Sequence, residues 1–370
     1  MACDHNFSLK PLGGSAFSPV SVISKKSARE LASLVANDVG CPLTNNGEAV
    51  SCLRGVPADA LNAAQTKLLA KNGPFQSWGP VVDGVYIREQ PSSTLLRSAT
   101  RKIDLLIGSA AKDGLIRRAK AIKKFEESQG RGESKTAFYQ ALQNSLGGES
   151  LNPLVRDAAV WYYSLEHSSD DYSVFSRALE NSTRDHFVIC PAINMVRHWA
   201  ETNRGNTFMY YVPESALQSS FGLELPEDVV FIFGLPLRPQ YQSQFTEEEK
   251  RLSLKIMQYA ANFVKSGNPN YSFDFSRHAT RNLPPWPMYL SHSDGDNYKE
   301  FTASLENHKG LKKADCSFWN KYIPALKAST SVNISLEQST EPSLEDTING
   351  SSIHAQVTQR PTKKGADAYN

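Results

Sequence analysis

Residues 229–237 read VVFIFGLPL, and shortly after them comes TEEEKRLSLKIMQYAANFVKSG (246–267). The first stretch is a strand-like apolar run that ends in glycine and proline. The second predicts a long helix: Thr246 stands at the N-cap, Glu249 three residues on completes a capping box, and Gly267 supplies the stop. The same alternation extends outward. IDLLIG (103–108) and TFMYYV (207–212) are short apolar runs of the kind that form buried strands. GPVVDGVYI (79–87), around Asp83, reads as turn and strand. Residues 27–39 (SARELASLVANDV) and the segment from Pro57 to Ala70 place apolar side chains at helical spacing, with Pro57 suited to a first turn. Buried strands alternating with long helices predict an α/β layer fold.

The bulk composition excludes several classes of function. Over 370 residues, 40% are apolar and 10% aromatic, enough for a real core. A net charge of +2 and the lack of any basic run interleaved with aromatics give no case for nucleic acid. No window reaches the eighteen or so apolar residues of a membrane span, and MACDHNFSLKPL (1–12) lacks the apolar centre of a secretory signal. Other features point to an oxidising, secretory setting. Cys41 and Cys52 bracket CPLTNNGEAVSC, a spacing that suits a small disulfide loop between two helices, whereas Cys190, Cys316 and Cys3 stand alone. No CxxC or His/Cys cluster offers metal-ligand spacing, so no metal is expected. Glycosylation sequons fall at Asn6, Asn181, Asn270, Asn333 and Asn349. Together these predict a piece of a longer secreted protein that is routed through the endoplasmic reticulum by a signal lying upstream.

The run FIFGLPL (231–237), followed by a helix ending ANFVKSGNPN, resembles the cholinesterase-like, type B carboxylesterase family. WGPVVDG (78–84) is similar to its GPxxDG element, and DCSFWNKYIP (315–324) to its last helix. The resemblance covers about 13–327 and sets 1–12 apart as an atypical start. It implies the α/β-hydrolase fold without its early strands, which would expose an unpaired sheet edge or a core face. It also implies two disulfides, Cys41–Cys52 and Cys190–Cys316. Acyl transfer in this family needs a serine on a G-x-S-x-G turn, a histidine and an orienting acid. No G-x-S-x-G occurs in the chain, Leu225 occupies the family's histidine position, and Asp113 occupies its acid position. One acid with neither base nor nucleophile predicts a protein without esterase activity.

KTAFYQALQNSLGGE (135–149), AVWYYSLEHSSDDY (159–172), FSRALENSTRD (175–185) and GLKKADCSFWNKY (310–322) resemble the hormone-precursor members of that family, which lack the triad. The resemblance implies a scaffold whose tyrosines are iodinated by an external haem enzyme, thyroid peroxidase, and then coupled in pairs. No cofactor is bound; iodide enters as a covalent modification. It assigns Tyr172, behind Asp170 and Asp171, as a hormone-forming acceptor, Tyr139 as its donor, and Tyr369 as a near-terminal hormone-forming site. By local context alone SSDDY is a helix start, with the serines and acids capping free N–H groups, and Tyr139 is a tyrosine on a helix face. Tyr210, Tyr211 and Tyr259 lie in apolar runs and are expected in the core; Tyr162 and Tyr163, beside Trp161, in core or interface.

The resemblance further implies a homodimer through the last helix, about 312–327, where Phe318, Trp319, Tyr322, Ile323 and Leu326 fall near helical spacing. The same stripe could instead pack within the chain, and Pro324 interrupts it. Support for the folding and secretion of the upstream regions of the same precursor, and delivery to the follicle lumen, are also implied. A hydrolase fragment and a neuroligin-like adhesion module are the competing readings. After Lys327 the composition changes: residues 328–370 hold twelve Ser/Thr and a single aromatic, Tyr369. A segment so poor in apolar groups is expected to be a disordered tail.

Overall fold

The computed structural model describes residues 8–9, 14–72, 78–97, 102–111, 113, 152–164, 178, 180–202, 205–217, 225–271, 283–290 and 295–329. The chain forms two compact units, Met1–Lys327 and Ala328–Asn370. In the second, only residues 328 and 329 are described.

A five-stranded sheet runs through the first unit in sequence order: β1 (Ser8–Leu9), β2 (Asp104–Ala110), β3 (Thr207–Val212), β4 (Asn297–Glu300) and β5 (Asn307–Lys309). The first four strands are parallel and β5 is antiparallel to β4. β2 and β3 pair over six residues, Leu105 opposite Thr207 through Ala110 opposite Val212. Every residue of β2 is buried, as in a parallel strand covered on both faces. β1 comes from the segment that the family resemblance sets apart, and it pairs Ser8 and Leu9 with Asp104 and Leu105.

Strand periodicity divides the core in two. Leu105, Ile107 and Met209 point into a cluster formed with α6 (Cys190–Thr202), α5 (Pro153–Ser164) and the last helix. Leu106, Ala110, Phe208, Tyr210 and Val212 point the other way, onto Leu252, Ile256, Tyr259 and Phe263 of α8 (Glu247–Ser266). α8 has the predicted ends: Thr246 and Glu249 exchange both capping-box bonds, and Gly267 takes φ +72° with its N–H on the Phe263 carbonyl. A smaller cluster joins α1 (Lys25–Asp38) to α3 (Ala58–Asn72) through Leu31, Val35, Ala64 and Leu68. Cys41, just after α1, is bonded to Cys52 of α2 (Asn46–Gly55).

Two strand expectations are corrected. The run 229–237 forms α7 (Glu227–Ile232) and then a 3-10 turn at Leu235–Leu237, reached through Gly234 at φ +67°. Pro226 precedes the helix and Glu227 and Asp228 fill its first turn, which suits a helix start. A short apolar run cannot separate strand from helix by periodicity alone. In 79–87 the turn is present, but strand pairing is limited to one bridge, Val81 with Ile23. The Asp83 carboxylate accepts the N–H groups of Val85, Tyr86 and Ile87, each at 2.9 Å, so these donors are withdrawn from any ladder.

The last helix, α9, begins at Lys313 and widens to a π turn at Phe318–Tyr322, and helical residues continue through 329. Ile323 donates to the Phe318 carbonyl five residues back, and Pro324 follows. The turn before α6 is wound the same way: Asp185–Ile189 is π, Cys190 donates to the Asp185 carbonyl, and Pro191 follows. A proline inside a helix removes a donor and crowds the carbonyl four residues back; a π turn just before it relieves that crowding. The carbonyl that Pro191 cannot serve, that of Phe187, accepts instead from the Ser18 hydroxyl at 2.7 Å. Pro324 therefore does not end the helix. The Cys190–Cys316 disulfide ties the two widened helices together across 126 residues of sequence.

Candidate functional site

At the end of β2 the backbone turns so that Asp113 reaches back to the strand. Its carboxylate accepts the Ala110 N–H at 2.7 Å, while its own N–H donates to the Ala110 carbonyl at 3.1 Å. The residue is buried, facing Asp228 and Glu227 from the first turn of α7. Burial, and then the Asp228 carboxylate with a smaller contribution from Glu227, push the Asp113 carboxyl well above its usual range, against the opposing Ala110 N–H bond and a smaller pull from the Arg184 guanidinium. Asp228 also accepts a 2.8 Å hydrogen bond from the hydroxyl of Tyr210 on β3, whose phenol is pushed far up by burial and by that carboxylate. Gly108 makes this possible, because a Cβ there would lie 2.4 Å from the Tyr210 ring that crosses it.

The charged groups that set the state of Asp113 are thus two acids and an arginine. Leu225, two residues before α7, is 42% exposed and carries nothing that could take a proton. Among the described residues no group of three or more His, Cys, Asp or Glu could hold a metal. The arrangement favours the protonated form of one core carboxyl, and no nucleophile–base pair stands beside it among the described residues. Sequence reasoning found Asp113 and Leu225 but missed Asp228 and Tyr210; the Glu-Asp pair at the head of an apolar run was their only signal.

Tyr172, Tyr139 and Tyr369 lie outside the described residues, as do Cys3, Asn6, Asn333 and Asn349. Asn181 is partly buried and accepts from Arg184 at 2.7 Å. Asn270 is exposed, and its amide clamps the backbone of Trp286, accepting its N–H and donating to its carbonyl, both at 2.8 Å. Of the tyrosines expected in the core, Tyr210 and Tyr259 are fully buried and Tyr211 is half-buried. Tyr162 stacks on Phe318 at 4.3 Å, and burial, helped by the Asp315 carboxylate, pushes its phenol up to about 12. The Tyr163 hydroxyl donates to the buried Asp185 at 3.1 Å and accepts from the Trp319 indole at 2.8 Å, while Lys312 bonds the same carboxylate at 3.2 Å.

These contacts decide how the last helix is used. Phe318, Trp319 and Ile323 are buried in the chain's own core and Leu326 packs against it, so most of the stripe considered for a dimer is spent internally. Tyr322, at 54%, and Trp161 on α5, at 63%, are the aromatics these two helices leave exposed.

The carboxylesterase family model matches residues 11–319, and the chain belongs to that family. Its fold is accordingly that of the cholinesterase-like α/β hydrolases. Within the family, the chain is similar to thyroglobulin of Bos taurus, 61% identical over 318 residues, which is 86% of this chain and 11% of that protein. It is likewise similar to thyroglobulin of Homo sapiens, 55% identical over 355 residues, or 95% of this chain and 13% of that protein. Acetylcholinesterase of Bungarus fasciatus is 26% identical over 317 residues, 84% of this chain and 50% of that enzyme. The chain thus spans about a tenth of the length of the thyroglobulins it matches. Among the described residues, no helix is long and apolar enough to cross a membrane.

Proposed function

We propose that this chain is the non-catalytic cholinesterase-like domain of a thyroid-hormone precursor, a scaffold that presents tyrosines for iodination and coupling. One observation carries the reading: a chain similar to thyroglobulins over most of its length has no G-x-S-x-G in its 370 residues, and the family resemblance puts Leu225 where the base would stand. The buried, acid-flanked Asp113 supports it, because burial and the neighbouring carboxylates disfavour the ionised form that would stabilise a histidinium. Work done on the phenols by an external peroxidase needs no triad, only exposure and two rings brought within reach of each other.

In this reading Tyr172 is the acceptor and Tyr139 the donor. Tyr369, near the end of a Ser/Thr-rich segment, meets its counterpart in a second copy of the chain. Thyroid peroxidase, with hydrogen peroxide as the oxidant, oxidises iodide and places it on the phenols; the precursor's upstream regions depend on this domain for folding and secretion to the follicle lumen, and a homodimer forms through the last helix, about 312–327, where Tyr322 stays exposed. Iodination of the chain by a peroxidase, followed by peptide mass spectrometry, tests the assignment: Tyr172→Phe should abolish iodothyronine from this region, and an unchanged yield overturns it. Hydrolysis of a p-nitrophenyl ester that an active-serine probe blocks would instead establish a hydrolase.

A further inference from the structure

Tyr86 stands apart from the other described tyrosines. It is 93% exposed, against 54% for Tyr322 and 56% for Tyr271, while Tyr210, Tyr259 and Tyr289 are buried. Its backbone is nevertheless fixed. The Asp83 carboxylate accepts three successive N–H groups, Tyr86's own among them, and Gly84 enters the turn at φ +80°. The Gly84 N–H donates to the Ile87 carbonyl at 3.1 Å and closes the loop. Its base is tied to residue 23 by two backbone bonds, Ile23 to Pro80 at 2.8 Å and Val82 to Ile23 at 3.0 Å. A rigid turn therefore holds a phenol out in water.

We infer that Tyr86 is a further halogenation site of this chain, an acceptor of electrophilic iodine; the inference rests on the scaffold reading above. A haem peroxidase using hydrogen peroxide oxidises iodide by two electrons, I⁻ + H₂O₂ + H⁺ → HOI + H₂O. The electrophile then replaces a ring hydrogen ortho to the phenol oxygen, ArH + HOI → ArI + H₂O; the C–I bond forms, the C–H bond breaks, and the hydroxide of HOI carries the proton away. At Tyr86 both ortho carbons are open to the reagent, and the bulk of an iodine atom has only solvent to displace. On Tyr210 or Tyr259 the same atom would overpack the core. Tyr322 has one face stacked on Phe318, with ring centroids 5.7 Å apart. The Asp83 charge is spent on backbone N–H groups and keeps the loop polar and well solvated.

The test is limited iodination of the 370-residue chain by lactoperoxidase, iodide and a peroxide-generating system, with the order of labelling read by peptide mass spectrometry. Iodine should appear on Tyr86 earlier than on Tyr322 and well before Tyr210, Tyr259 and Tyr289, Tyr86→Phe should lose that early uptake, and prior unfolding in urea should erase the preference. Labelling of Tyr86 no earlier than the buried tyrosines overturns the inference. Iodothyronine at Tyr172 is scored in the same digest. If it forms while Tyr86 stays unlabelled, only this inference falls. If Tyr86 is labelled and no iodothyronine forms, the site stands and the scaffold reading falls.

Discussion

Alternate residues of the same two strands serve very different neighbourhoods. On one face of the sheet Leu105, Ile107 and Met209 meet helices stitched by the Cys190–Cys316 bond and by a polar knot in which Tyr163 and Lys312 converge on Asp185. On the other, Phe208 and Tyr210 enter an aromatic box with Tyr259, Trp286 and Phe301; the Tyr210 and Phe301 rings stack at 4.8 Å and Trp286 meets Tyr259 edge-on at 5.3 Å. The first face is held by a covalent bond and by contacts to Asp185, whose burial still raises its carboxyl above the usual range. The second depends on shape, and it fully buries Lys299, whose ammonium has the Leu305 carbonyl and the Tyr259 ring beside it. The lesson concerns phenols. A tyrosine on the sheet is either packing material or a partner for a buried acid, and neither is available to an external oxidant. The exposed phenol of Tyr86 comes instead from a turn outside the sheet.

The comparison breaks most visibly at Trp286. Its indole fills the centre of the aromatic box and donates to the Met209 carbonyl at 3.1 Å, so Trp286→Ala should cost about 3–5 kcal/mol in chemical denaturation. On the opposite face, replacing Cys190 and Cys316 by serine should cost about 2–5 kcal/mol, because the bond closes a long loop and both sulfurs are buried. A larger loss from the cysteine pair than from Trp286 would reverse the ranking of the two faces.

Lys299 sharpens the contrast through pH. Its ammonium donates to the Leu305 carbonyl at 2.8 Å and lies 5.7 Å from the centre of the Tyr259 ring, yet burial still lowers its pKa from 10.5 to about 8. Between those values the unfolded chain holds a proton that the folded one has lost, so stability should rise with pH from about 8 to 10.5. Below pH 8 the folded state bears the full penalty, about 3 kcal/mol. In Lys299→Met the rise in Tm over this window should vanish, with a net gain at pH 7 reduced by about 1 kcal/mol for the lost hydrogen bond.

Smaller effects follow at the edges. Asn270→Asp keeps the acceptor for the Trp286 N–H but turns a carboxylate toward its carbonyl, and should cost about 1–3 kcal/mol by urea titration. Asp113→Asn should raise Tm at pH 7. The native carboxyl favours its protonated form in the fold, so its contribution is best at low pH and is lost as pH rises through the elevated folded pKa. The advantage of the variant should therefore shrink as pH falls towards 4, the ordinary carboxylate range.

Much of the frame was legible locally. The capping box of α8, the strands within IDLLIG and TFMYYV, and the Cys41–Cys52 loop all depend on neighbours a few residues apart. VVFIFGLPL was misread as a strand for the same reason, since its apolar side chains are equally compatible with a short buried helix and only Pro226 and the two acids before it say which. The two π turns carry a pattern visible in hindsight: each is followed, one residue later, by a proline. The stripe on the last helix could be listed from the sequence, but not assigned to core or interface. Its partners, Tyr162 and Tyr163, lie about 150 residues away and meet it only after folding.

By itself the sequence determined the local signals: the FIFGLPL run that resembles the family and the Thr246–Glu249 capping box of α8. Those are matters of residue identity over a few neighbouring positions, and no long-range contact is needed to read them. Only the tertiary structure decided the environments. It drew Asp113 against Asp228 and Tyr210, residues about a hundred positions apart, and it left Tyr86 in water while burying Tyr210 and Tyr259. Ionisation and reactivity depend on what surrounds a group, and most of those surroundings are distant in the chain.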